Sequence, residues 1–245
     1  MIEILDTKRR VGRCLLPRRW RHVAVTLVLA GCLALAPAID MASLNADSGG
    51  RPNVVLVMTD NHGAWTLGCY GNPEIRTPHI DRLAAEGTLF TRAFASNPVC
   101  SPTRATFLTG LIPSQHGVHS FLSGGNLQVG PDARCTLDEF TSLPEVLRDS
   151  GYSCGLVGKW HLGDNLRPQE GFTTWITKPH GHSRGFYDQE VIENGEIRVE
   201  PTYLTELWTD HGIQFIEENR DEPFFLFLAY NGPYGLGGAM REPIR

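Results

Sequence analysis

Asn53-Val54-Val55-Leu56-Val57-Met58-Thr59-Asp60-Asn61 is the stretch on which the fold turns. From Asn53 to Thr59 it is a continuous β-prone run without the polar alternation of a half-solvated strand. It therefore predicts a strand covered on both faces. Residues 152–157 and 224–230 carry runs of the same kind. Helical signals separate them. Thr77-Pro78 offers a cap and a first-turn proline, Ile80, Leu83 and Ala84 form an apolar stripe, and Gly87 stops it. Residues 88–95 read as a further strand. A helix is expected from Ser101 or Pro102 to about Thr109, ended by Gly110, and another over 142–150, ended by Gly151. Residues 162–184, rich in Gly, Pro and His, read as irregular. Residues 188–192 and 197–199, joined by Glu193-Asn194-Gly195-Glu196, read as a hairpin. A helix over 203–219 has Leu204, Leu207, Trp208 and Phe215 on its apolar side. Strands alternating with helices predict an α/β domain: a three-layer α/β/α sandwich with a mainly parallel, mixed sheet.

The chain has 245 residues, a net charge of -5 and six cysteines. Mild acidity excludes nucleic acid as the expected partner, because neutralising phosphates needs a basic surface. The basic residues that stand out are N-terminal: Lys8, Arg9, Arg10, Arg13, Arg18, Arg19 and Arg21 precede an apolar run over 23–39. That order predicts an export signal. Three endings fit it. Ala34-Leu35-Ala36 or Ala36-Pro37-Ala38 would suit cleavage, Leu29-Ala30-Gly31-Cys32 resembles a lipobox that would lipidate Cys32, and the run is at the lower edge of a membrane span. Residues 1–40 are thus read as export signal or membrane anchor and 41–51 as a polar linker. The folded part is 52–245, and its destination is periplasmic, secreted or membrane-anchored. Cys69, Cys135 and Cys154 have no zinc-ribbon spacing and read as plain thiols, although export permits a disulfide.

Ligands of open α/β sheets bind beyond the carboxyl ends of strands, which places Asp60 and Asn61 at a candidate site. Their oxygens are hard donors, suited to Ca²⁺ or Mg²⁺. Cys100 opens the segment Cys100-Ser101-Pro102-Thr103-Arg104, followed by Phe107-Leu108-Thr109-Gly110. The run 151–161 ends Gly158-Lys159-Trp160-His161, and an extended backbone lets side chains two apart converge. These two segments resemble the two signatures of the type I sulfatases, members of the alkaline-phosphatase-like superfamily, with Cys154 where Ser or Thr is usual. The resemblance spans most of residues 52–234. It implies that Cys100 is oxidised to Cα-formylglycine by a formylglycine-generating enzyme or other sulfatase maturase. One hydroxyl of the hydrated aldehyde would attack sulfur and the other would later expel sulfate. It implies catalytic roles for Cys100, Arg104, Lys159 and His161, and a metal, Ca²⁺ or alternatively Mg²⁺, on Asp60, Asn61 and Cys100.

Asn61 stands where the family has a second acidic residue, and Tyr234 where many members have a histidine that protonates the leaving group. Lys159, Tyr234 and His182 are the expected substrate contacts. His180 and Arg184 lie in the same segment as His182. Asn231 reads as a polar contact or a turn residue, and His116 and His119 as structural. The resemblance further implies a longer catalytic domain, with more metal ligands beyond residue 245, so the chain reads as its N-terminal part and the sheet as incomplete. The expected activity is hydrolysis of sulfate esters on a small molecule or polysaccharide. A phosphonate or phosphate-diester hydrolase of the same superfamily, and an inactive relative that binds sulfated glycans, are the competing readings.

Overall fold

The computed structural model describes residues 50–123, 126–183 and 185–233. The expected export signal, most of the linker, the lipidation reading at Cys32, and the readings at Arg184 and Tyr234 lie outside the described residues. Six strands form one sheet in the order β1-β6-β2-β3-β4-β5. They are β1 (Val54–Met58), β2 (Ser153–Gly158), β3 (Thr174–Thr177), β4 (Gln189–Glu193), β5 (Glu196–Glu200) and β6 (Phe224–Ala229). The pairings β1–β6, β6–β2 and β2–β3 are parallel, and β3–β4 and β4–β5 are antiparallel. The helices are α1 (Pro78–Glu86), α2 (Cys100–Thr109), α3 (Pro113–His116), α4 (Leu143–Asp149) and α5 (Leu204–Asn219).

β6 shows why the sheet has two covered faces. All of Phe224–Ala229 is buried, and alternate residues go to different cores. Phe225, Phe227 and Ala229 pack with Ala105, Leu108, Leu156, Trp160 and Trp175, on the side of α2. Phe224, Leu226 and Leu228 pack with Leu204, Leu207, Trp208 and Phe215 of α5. One sheet between two apolar layers is the three-layer sandwich that the strand runs predict. Ser142 caps α4: its Oγ accepts from Glu145 N at 3.4 Å, while Glu145 Oε2 accepts from Ser142 N at 2.9 Å. The β4–β5 turn has Asn194 at φ 54° and Gly195 at φ 81°, the backbone that an Asn-Gly hairpin requires.

Three expectations are corrected. Residues 88–95 form no strand; they have no ladder partner, and Phe90 and Phe94 are 69% and 88% exposed. Propensity does not make a strand where no neighbour accepts its hydrogen bonds. Conversely, the irregular stretch 162–184 contains β3, which is short but pairs with β2 through Val157 and Ile176. β1 is not covered on both faces. Leu56 and Met58 pack against the α2-side core, but Val55 and Val57 are 45% and 54% exposed. Among the described residues β1 has a strand neighbour on one edge only and is half-buried.

Candidate active site

The sheet order sets up the site. β6 lies between β1 and β2, so the carboxyl ends of β1 and β2 flank that of β6. Backbone bonds tie the three ends together. Tyr230 N donates to Met58 O at 2.8 Å, Asp60 N to Gly232 O at 3.0 Å, and Lys159 N to Ala229 O at 2.7 Å. Gly158 makes the last turn possible: its φ is 109°, and a Cβ there would sit 2.0 Å from Ala229 O. Asp60 and Lys159 therefore leave the sheet facing each other across the top of β6.

α2 brings the third element. Cys100 is its first residue and Arg104 lies one turn on, buried. Lys159 Nζ donates to Asp60 Oδ2 at 2.8 Å and lies 3.2 Å from Cys100 Sγ. Arg104 NH2 donates to the same Asp60 oxygen at 3.2 Å, and its NH1 to the carbonyl of Lys159. The Cys100 thiol faces Asp60 Oδ1 at 3.6 Å. Burial pushes the Asp60 carboxyl up, but Lys159 and Arg104 together hold it below its ordinary value. Burial and the Arg104 charge push Lys159 down, against the pull of Asp60. Two cations converge on one carboxylate beside Cys100. Arg104 Nε is buried without a partner.

His161 is buried too, on a left-handed backbone at φ 63°. Its Nε2 lies 3.1 Å from Leu122 O, and since a carbonyl only accepts, that nitrogen carries the hydrogen. Nδ1 then presents a lone pair, and it has no partner. Burial, with a further push from Lys159, lowers the pKa to about 3, so the ring is neutral and Nδ1 is a hydrogen-bond acceptor. Gly181 closes against the ring: a Cβ there would meet His161 Cγ at 1.9 Å.

Asp60, Cys100, Arg104 and Lys159 thus form one cluster. Asn61 is exposed and its side chain makes no hydrogen bond to the cluster among the described residues; its backbone is left-handed, at φ 54°. His182 is exposed and stands on a neighbouring wall, 6.2 Å from Phe121, whose ring is 4.6 Å from that of His161. Asn231 resolves as a buried strut: Oδ1 accepts from Trp208 Nε1 at 3.0 Å, and Nδ2 donates to Ser183 Oγ at 2.8 Å. His116 is structural as expected, lying 3.1 Å from Thr106 Oγ1 and accepting from Val118 N. Cys69, Cys135 and Cys154 are all free thiols.

The donor set next to Cys100 is a carboxylate with both oxygens facing the cluster, followed by an amide. That chemistry fits a hard divalent cation, but it supplies fewer oxygens than the roughly 6–8 that calcium takes. Elsewhere among the described residues Cys135, Asp138 and Glu170 converge. There the Cys135 thiol donates to Glu170, and burial followed by the Glu170 charge pushes its pKa up, so it stays a thiol. Sequence reasoning missed the Leu122 carbonyl, Gly181 and Lys178, which shape the surroundings of His161 and Lys159. No motif marks them; only the β2–β3 pairing and the chain's return past His161 reveal them.

A mainly parallel mixed sheet with a buried cluster at its strand ends is the arrangement of the alkaline-phosphatase-like fold. The family model described as Sulfatase matches residues 52–237, and the chain belongs to that family. It is 33% identical over 236 residues to an N-acetylgalactosamine-6-sulfatase of Rattus norvegicus, covering 85% of this chain and 44% of the relative. It is 34% identical over 187 residues to an N-acetylglucosamine-6-O-sulfatase of Bacteroides thetaiotaomicron, covering 75% and 31%. The chain therefore spans less than half the length of these relatives. A solved structure in complex with its substrate D-glucosamine-2-N,6-O-disulfate superposes with a TM-score of 0.62 at 31% identity, covering 76% of this chain and 35% of that one. Another, in complex with a neocarrahexaose, has a TM-score of 0.64 at 28% identity, covering 76% and 46%.

Proposed function

We propose that this chain is the sulfate-binding part of an exported glycan sulfatase that hydrolyses a sulfate ester on a sugar. The carrying observation is the convergence of β1, α2 and β2 on Cys100, with Lys159 at 3.2 Å and both cations on Asp60. Lys159 and Arg104 hold the sulfate oxygens and offset charge that grows on them. Asp60 keeps those two cations in place and, with Asn61, would hold the divalent ion. His161, neutral, presents Nδ1 as a hydrogen-bond acceptor. Cα-formylglycine formed from Cys100 would supply a hydrated aldehyde oxygen in place of sulfur, and Ca²⁺, or Mg²⁺, would supply positive charge against it. The maturing partner is a formylglycine-generating enzyme or another sulfatase maturase. The names of the relatives point to an amino-sugar sulfate as substrate, and the basic N-terminus with its apolar run points to export.

The test is the mass of the tryptic peptide containing position 100, from protein co-produced with a maturase. Conversion removes about 18 Da relative to cysteine. The complete protein should then release sulfate from N-acetylglucosamine 6-sulfate, and Cys100→Ala should abolish release. Full activity with an intact thiol at position 100 would overturn the reading. Cell fractionation checks export: the protein should be found outside the cytoplasm.

A further inference from the structure

Lys178 follows the last residue of β3 and is 5% exposed. Its amine donates to Gln189 Oε1 at 2.7 Å, and no carboxylate lies within ion-pair distance of it among the described residues. A buried ammonium with one neutral acceptor is costly, and an anion relieves that cost. The register Val157↔Ile176, continued by two residues, sets Lys178 beside Lys159. Adjacent strands lie about 5 Å apart. Burial, opposed by Glu190 and reinforced by Lys159, pushes the pKa of Lys178 down to about 8, so it keeps its proton at neutral pH.

The same lysine lines a cavity of about 630 Å³ with Phe121, Leu122, Gln128 and His182. Leu122 is also the residue whose carbonyl holds His161, so cavity and catalytic cluster share a wall. That volume takes a sugar. Phe121 offers an apolar face to the ring. Glu190, exposed on the same lining, offers an acceptor for a sugar hydroxyl.

We propose that Lys178 is the floor of a second oxyanion subsite, which takes a further sulfate or a carboxylate on the same sugar whose ester sulfate sits at Lys159 and Arg104. The subsite makes the protein selective for doubly acidic sugars. It rests on the sulfatase reading above.

Equilibrium titration of the full chain with Cys100 as the thiol tests it without turnover. The probes are N-acetylglucosamine 6-sulfate, D-glucosamine-2-N,6-O-disulfate and glucuronic acid 2-sulfate. One charge-assisted hydrogen bond predicts at least about tenfold tighter binding of one doubly acidic probe than of the first. Which one gains tells sulfate from carboxylate. Lys178→Gln should bring that ratio to about one. Acetic anhydride labelling of Lys178 in the wild-type chain should be slowed by the favoured probe and not by N-acetylglucosamine 6-sulfate, which keeps the test independent of whether the variant folds. Equal affinities for all three probes, or a preference that survives Lys178→Gln, overturns the subsite alone. Binding of none of them overturns the sulfatase reading, and the subsite with it.

Discussion

At Asp60 two buried cations depend on one carboxylate. Asp60→Asn keeps the shape and removes the charge, which strands Lys159 and Arg104 in a low-dielectric site. Breaking a buried pair in this way costs about 3 kcal/mol or more, and urea unfolding should show it as a lower midpoint with an unchanged slope. His161 sets a pH dependence. Its folded pKa of about 3 lies below the ordinary 6.5, because burial and then Lys159 disfavour the charged ring. The unfolded chain therefore binds a proton that the folded chain refuses. Its contribution is intact above about pH 6.5 and is lost as pH falls toward 3, by at most about 1.4 kcal/mol per unit. Melting temperatures across that window should fall less steeply in His161→Gln, and identical slopes would count against the assignment. Asp60, Cys100, Arg104 and Lys159 were legible because each sits in a short pattern with fixed spacing. Lys178 was not, since a lysine among Gly, Pro and His reads as surface until its strand register is known.

Among the elements, α4 is short and owes its start to the reciprocal bonds of Ser142 and Glu145. Ser142→Ala should cost about 1 kcal/mol, read as a lower melting temperature with the oxyanion cluster unmoved. Gly181→Ala acts differently. Its new methyl group meets the His161 ring, so the ring must leave Leu122 O or the segment must shift, at about 1–3 kcal/mol. That variant should disturb His161 without moving Arg104 or Lys159, visible as a fall in kcat with a smaller change in KM. β2, β6 and α5 were legible because their apolar runs are long and their breakers clear. The run over 88–95 misled for a reason that acts at this scale: its β-prone residues have no strand edge to join. β3 escaped notice for the converse reason, since β2 supplies its partner though its own sequence is nondescript.

For the whole molecule, the uneven covering of the sheet matters most. β2 and β6 lie between two cores, whereas Val55 and Val57 on β1, Leu83 on α1, and Phe90, Phe94 and Phe107 stay exposed. An exposed apolar edge strand is a template for pairing. The chain alone should therefore associate as concentration rises, and Val55→Lys combined with Val57→Lys should reduce the association seen by light scattering. The position of β6 has a consequence in time. It is made after the other described strands, yet it is the spacer between the strand bearing Asp60 and the strand bearing Lys159. Until the ribosome has passed residue 229, the two walls have nothing to hold them at the right separation. At ordinary translation rates that leaves an interval on the order of ten seconds after Cys100 is polymerised. During that interval the thiol stands outside its nest of cations, open to any enzyme that would oxidise it.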